Sequence, residues 1–215
     1  MVATVVDQFP GPFVHIGGDE AFGTDPDSFD RFVSSTAAVV AGHGRRVMAW
    51  HDAARTTLPA GAVVQYWGTA DRHHDQDLAR RAVAAGHGVV MSPGDRIYVD
   101  MAYEDHSPVG ATWAGVVPVS QSYSWDPATT IDGVGEADIL GVEAAMWTER
   151  TPTWADVEHV VFPRLASAAE IGWSPRDGRS WQEYRHRLAT LGPGWDARGA
   201  NYFRSPEVPW IPWVD

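Results

Sequence analysis

The sequence predicts an α/β fold built on a parallel sheet. Three observations carry that prediction. Short apolar runs of strand length recur along the chain, segments of helical periodicity stand between them, and acids and large aromatics collect just past the ends of the apolar runs. In a parallel sheet crossed by helices, ligand-binding groups gather at the carboxyl ends of the strands.

Residues 13–16 form the first expected strand. It runs into His15-Ile16-Gly17-Gly18-Asp19-Glu20, an apolar tip followed by two glycines and two adjacent carboxylates. A Gly-Gly step frees the backbone and lets a ligand approach the acids beyond it. Adjacent acids on a surface loop are usually solvated, and delivery by a buried strand sets this pair apart. Pro26 then opens a helix capped by Asp25. Phe29, Phe32, Val33, Thr36, Val39 and Val40 are expected along its buried side, and Gly42-His43-Gly44 stops it. Residues 45–50 and 62–67 read as strands, 77–85 as a helix ended by Gly86-His87-Gly88, and 89–92 as a fourth strand. A long irregular stretch, 93–138, is too extended for an idle connection. Residues 139–145 read as a fifth strand, followed by helices over about 154–171 and 181–191. No repeat or linker divides the chain, so 1–215 is expected to act as a single domain. Five strands fall short of the eight, and the roughly 250 residues, of a complete (β/α)8 barrel.

Composition narrows the chemistry. The formal charge of −12 argues against nucleic acid, because no basic stripe is present to replace counterions. All 16 basic residues are arginine, which removes lysine Schiff bases and lysine-dependent phosphate loops. Cysteine is absent, so thiolate nucleophiles and thiolate metal sites are excluded too. No stretch approaches a membrane span, and the first nine residues lack the pattern of a signal peptide, so the compartment is not legible there. Metal is not expected: His73-His74-Asp75 falls in a predicted polar turn without helical ligand spacing.

The residues at or just past the strand ends are Asp19 and Glu20, Trp50, Trp67, Tyr98 with Asp100, and Trp147 with Glu149. Each tryptophan alone fits a core. Three at successive strand ends fit the wall of a pocket for a sugar, whose apolar faces stack on indole and whose hydroxyls need acceptors such as Asp100 and Glu149.

These segments resemble family 20 of the glycoside hydrolases, the β-N-acetylhexosaminidases. The resemblance rests on His15-Ile16-Gly17-Gly18-Asp19-Glu20, Trp50, Gln65-Tyr66-Trp67-Gly68, Tyr98-Val99-Asp100, Ala111-Thr112-Trp113 and Gly141-Val142-Glu143-Ala144-Ala145-Met146-Trp147-Thr148-Glu149. It implies that the chain is the C-terminal part of the catalytic barrel, about strands 4 to 8, with the first three absent. Truncation is the expected reason, and a missing barrel half or a second copy would cover the exposed strands. The family's sugar-gripping arginine and the Asp/His pair behind its acid are assigned to no position in this chain. By the resemblance Glu20 is the acid/base and Asp19 orients the substrate's 2-acetamido group. Tyr98 holds the acetamido oxygen, Trp50, Trp67 and Trp147 wall the terminal sugar, Asp100 and Glu149 bind its outer hydroxyls, and Trp113 faces the leaving group. The substrate is an oligosaccharide or glycoconjugate ending in N-acetylhexosamine, and no cofactor is implied. Adjacent carboxylates suit a substrate-assisted mechanism rather than two acids facing each other across the ring. Glu20 is expected to be partly buried beside Asp19, as befits a proton donor. A noncatalytic sugar-binding remnant is the alternative, since a binder needs the tryptophans but not the Asp-Glu pair.

Overall fold

Apolar β-branched runs placed between glycine-stopped helices produce five strands: β1 (Phe13–His15), β2 (Arg46–Trp50), β3 (Val63–Tyr66), β4 (Gly88–Met91) and β5 (Ile139–Val142). They lie in sequence order in one sheet in the computed structural model, which describes residues 2–212. Val14 pairs with Val47, Ala49 with Val64 and Val64 with Val89, all in parallel. Every residue of β3 is buried, as a central parallel strand covered on both faces requires. The chain forms two compact units, one from residues up to Met91 with Ala128–Gly141, the other from Ser92–Pro127 with the chain from Val142 onward.

In the first unit, α1 (Val2–Gln8) precedes β1, and α2 (Pro26–Gly42) connects β1 to β2. The Asp25 side chain accepts from the Ser28 backbone N–H at 2.9 Å, capping α2 as the sequence predicts. The buried stripe is Phe29, Val33, Ala37 and Val40. Phe32 and Val39, expected inside, are 71% and 48% exposed. At 3.6 residues per turn, both lie roughly 100° around the helix from the centre of that stripe. Gly44, at φ 70°, ends the segment and returns the chain to the sheet.

The next helix, α3 (His73–Ala84), starts earlier than the expected 77–85, so His73 and His74 occupy its first turn rather than a preceding loop. Arg72 supplies no side-chain cap there, which left the start without a sequence signal. Leu78, Ala79 and Ala82 face inward. An added Cβ on Gly68 would sit 2.8 Å from both Asp75 Cβ and the Tyr66 hydroxyl, so the missing side chain permits α3 to approach the end of β3.

In the second unit the stretch read as irregular contains α4 (Gly94–Ile97) and α5 (Val119–Tyr123), with an isolated parallel bridge between Met101 and Ala111. The single helix expected over 154–171 is two, α6 (Trp154–Val161) and α7 (Arg164–Trp173). Pro163 separates them because it has no N–H to continue the helical ladder. Thr153 and Asp156 close a reciprocal capping box on α6, with bonds of 3.2 and 3.0 Å. α8 (Trp181–Ala189) stops two residues before the expected end, and a short α9 (Gly192–Asp196) follows. The unit's core gathers Tyr103, Val119, Tyr123, Tyr184, Leu188 and Val208, with the rings of Tyr123 and Tyr184 stacked at 4.0 Å. None of the helices among the described residues is long and apolar enough to cross a membrane.

Candidate active site

The first unit presents Asp19 and Glu20 beyond the end of β1, Trp50 as the last residue of β2 and Trp67 just past β3. Gly17 and Gly18 adopt φ of 72° and 97°, backbone that an L side chain resists, and an added Cβ on Gly18 would reach Ala53 Cβ at 3.4 Å. Trp50 donates its backbone N–H to Gly17 O at 3.0 Å, tying the glycine turn to the end of β2. His15 Nδ1 accepts from Gly17 N–H at 3.1 Å, and its ring meets Trp50 edge-on at 5.0 Å. Glu20 has φ 47°, and it is the one non-glycine residue with positive φ among the described residues. Asp19 and Glu20 are both exposed, which corrects the expected partial burial of Glu20: the pair stands beyond the end of a three-residue strand.

Trp67 is held by two consecutive residues that follow Trp50. Its backbone N–H donates to His51 Nδ1 at 3.3 Å and its indole Nε1–H to Asp52 Oδ2 at 3.1 Å. Because Nδ1 accepts, the His51 proton belongs on Nε2, which faces Asp75 Oδ1 at 3.5 Å. His51 is fully buried. Sequence reading missed both His51 and Asp52. Their one signal was adjacency to Trp50 at a strand end.

The second unit carries Tyr98, Asp100, Trp113, Trp147 and Glu149. Tyr98 and Asp100 are each 4% exposed, Trp113 and Trp147 are each 42% exposed, and Glu149 is open to solvent. Tyr98 meets Trp113 edge-on at 5.3 Å. Trp113 lies directly on Gly94, where an added Cβ would fall 2.3 Å from Cη2 of the indole. The backbone carbonyl of Asp100 accepts from Ala111 N–H at 2.8 Å, but its buried Oδ1 has no hydrogen-bond partner. Burial pushes the Asp100 carboxyl up to about 6; a hydrogen bond from its own backbone N–H and then the charge of Arg164 oppose that rise, and the charge of Glu149 adds to it. Arg164, at the start of α7, donates to the carbonyls of Val99 and Met101 on either side of Asp100. It also escaped the sequence reading, since an arginine within a helical segment is ordinarily solvated.

Among the described residues no group of three or more His, Asp or Glu side chains is arranged to hold a metal ion.

A parallel sheet with acids and large aromatics at or past the ends of its strands belongs to the α/β-barrel class of protein. The chain belongs to glycosyl hydrolase family 20, whose catalytic-domain model matches residues 23–176. It is 40% identical over 201 residues to a β-N-acetylhexosaminidase of Cellulomonas fimi, covering 94% of this chain and 40% of that protein. Two solved structures resemble it with TM-scores of 0.94 at 40% identity. One is the family 20 β-N-acetylhexosaminidase of Streptomyces coelicolor A3(2), where the match covers 98% of this chain and 43% of that one. The other is the Streptomyces plicatus N-acetyl-β-hexosaminidase in complex with Thio-NAglucal, where it covers 98% and 42%. The chain therefore spans about two fifths of the length of these relatives. Its fold is part of their (β/α)8 barrel.

Proposed function

We propose that the chain serves in the removal of a terminal N-acetylhexosamine from an oligosaccharide or glycoconjugate, as part of a single catalytic barrel domain. Family membership supports the reaction class. The observation that carries the assignment of the acid is the backbone of Glu20. A non-glycine residue held at φ 47° is strained, and such strain concentrates at functional positions.

In this reading the substrate's own 2-acetamido oxygen attacks the anomeric carbon as Glu20 protonates the departing glycosidic oxygen. The C–O bond to the leaving group breaks, an oxazoline-type ring forms, and Asp19 accepts the acetamido N–H as positive charge develops there. Water then opens the ring at the anomeric carbon, giving its proton to Glu20, with net retention of configuration. Tyr98 donates to the acetamido oxygen. Trp50, Trp67 and Trp147 wall the terminal sugar, Asp100 and Glu149 accept from its outer hydroxyls, and Trp113 contacts the leaving group. Two acids adjacent in sequence support this route, because opposed carboxylates in ordinary retaining enzymes stand about 5–5.5 Å apart across the ring.

The test is hydrolysis of a chromogenic N-acetylglucosaminide by the purified chain, with the first-formed anomer read by proton NMR. The β anomer is expected, and Glu20→Gln abolishes turnover of a chitobiose-type substrate. An α product overturns the mechanism. Binding of N-acetylglucosamine with no turnover assigns the chain to the noncatalytic alternative.

A further inference from the structure

Arg164 is 1% exposed, and an arginine this deep is normally neutralised by a carboxylate. Here the guanidinium donates to four backbone carbonyls, and the Tyr103 hydroxyl beside it also favours the charged form. Nε donates to Val160 O at 3.3 Å, Nη1 to Val117 O at 3.0 Å, and Nη2 to Val99 O at 2.9 Å, Val160 O at 2.7 Å and Met101 O. The guanidinium also lies over the Tyr103 ring at 3.8 Å, and the Tyr103 hydroxyl donates to the same Val160 carbonyl. These bonds draw four carbonyls from three chain segments to one planar cation, and two of the carbonyls flank Asp100.

We propose that Arg164 is a positioning residue for Asp100. Its guanidinium fixes the backbone on both sides of that carboxylate and supplies the positive charge that keeps it ionised for sugar hydroxyls. The sugar contact rests on the function proposed above, whereas the backbone clamp stands on geometry alone. Neutral donors would serve a purely mechanical clamp, so the buried charge needs its own reason. Asp100 gives one, with an unpartnered Oδ1 and a carboxyl that burial and Glu149 both push toward the neutral acid. The other titratable groups here supply no competing cation. Tyr103 is buried, and burial first, then the charge of Arg164, holds His159 below the usual imidazole range.

The experiment uses the full chain with carboxyl-labelled aspartate, in which Asp100→Asn identifies the Asp100 resonance. Amide exchange over 99–102 is followed alongside, with 46–66 as the control for intact folding. Arg164→Met is expected to raise the Asp100 midpoint by about one pH unit or more. Arg164→Lys keeps the charge but cannot span four carbonyls: the midpoint stays near the wild-type value while exchange over 99–102 accelerates about tenfold or more with 46–66 unaffected. N-acetylglucosamine binding at pH 7 weakens in Arg164→Met, with no further loss when Asp100→Asn is added. An unchanged midpoint in Arg164→Met overturns the electrostatic role. Wild-type exchange over 99–102 in Arg164→Lys overturns the clamp, and if Arg164→Met does not fold the neutral, polar Arg164→Gln takes its place in the titration, where an unchanged midpoint likewise overturns the electrostatic role. Failure of the wild-type chain to bind the sugar removes the functional reading but leaves titration and exchange as tests of Arg164.

Discussion

The indole N–H of Trp67 donates to the carboxylate of Asp52 at 3.1 Å, and Asp52 stands two residues after Trp50. One short 3-10 segment, His51–Arg55, thus begins beside one tryptophan and tethers the next. Removing the acceptor with Asp52→Ala loses a hydrogen bond to a charged group, a contribution of about 1.5–3 kcal/mol. The Trp67 indole resonance should move in NMR spectra, and N-acetylglucosamine affinity should fall about tenfold. Asp52→Asn, which retains an acceptor oxygen, recovers most of it. An unmoved indole resonance in Asp52→Ala would mean that the tether does not order the ring.

Glu20 separates stability from activity. A left-handed backbone costs a non-glycine residue about 1–2 kcal/mol, so Glu20→Gly should stabilise the chain by about 1 kcal/mol in denaturant unfolding while Glu20→Ala gives no such gain. Both substitutions should lower hydrolysis by about 10²–10⁴-fold. Equal unfolding midpoints for the Gly and Ala variants would show that the strain is not there.

Asp100 makes stability depend on pH in a definite direction. Its carboxyl titrates at about 6 in the folded chain against an ordinary 3.8, so between those values the folded state holds a proton that the unfolded state has released. Stability from this group is therefore highest below pH 3.8, falls as pH rises to about 6, and stays low above. Asp100→Asn removes the penalty. It should stabilise the chain by up to about 3 kcal/mol at pH 7.5 and by nothing near pH 3.5, as read from thermal unfolding at both values. Sugar affinity should move the opposite way in the wild type, rising through pH 6 as the carboxylate ionises. A stability gap independent of pH would refute the assignment.

Gly94 is the floor for Trp113. Because an added Cβ would fall 2.3 Å from Cη2, Gly94→Ala must displace the ring and disturb its edge contact with Tyr98. Loss of an aromatic contact of about 0.5–1.5 kcal/mol predicts about 3–10-fold weaker binding of a chitobiose-type disaccharide, with N-acetylglucosamine binding nearly unchanged. Equal losses for both ligands would place Trp113 away from the leaving group.

Local chemistry made much of this chain readable from its residues alone. Asp25 before Pro26, Gly44 and Gly86 after their helices, and the apolar runs that become β1 to β5 are short-range signals, each decided within a turn or a strand. The Gly-Gly-Asp-Glu step was legible for the same reason, since its glycines needed positive φ and adopt it. What the residues could not announce depends on contacts far along the chain. Phe32 and Val39 fit a helical apolar side, yet only the surface that α2 meets decides which part of that side is buried. The buried state of Asp100 and the use of Arg164 arise from bonds between residues 63 and 65 positions apart, which no periodicity encodes. Residue type and spacing determined the strands, the caps and the candidate acids. Tertiary packing decided which charges lose water, because desolvation belongs to the folded surroundings of a group and not to its neighbours in sequence.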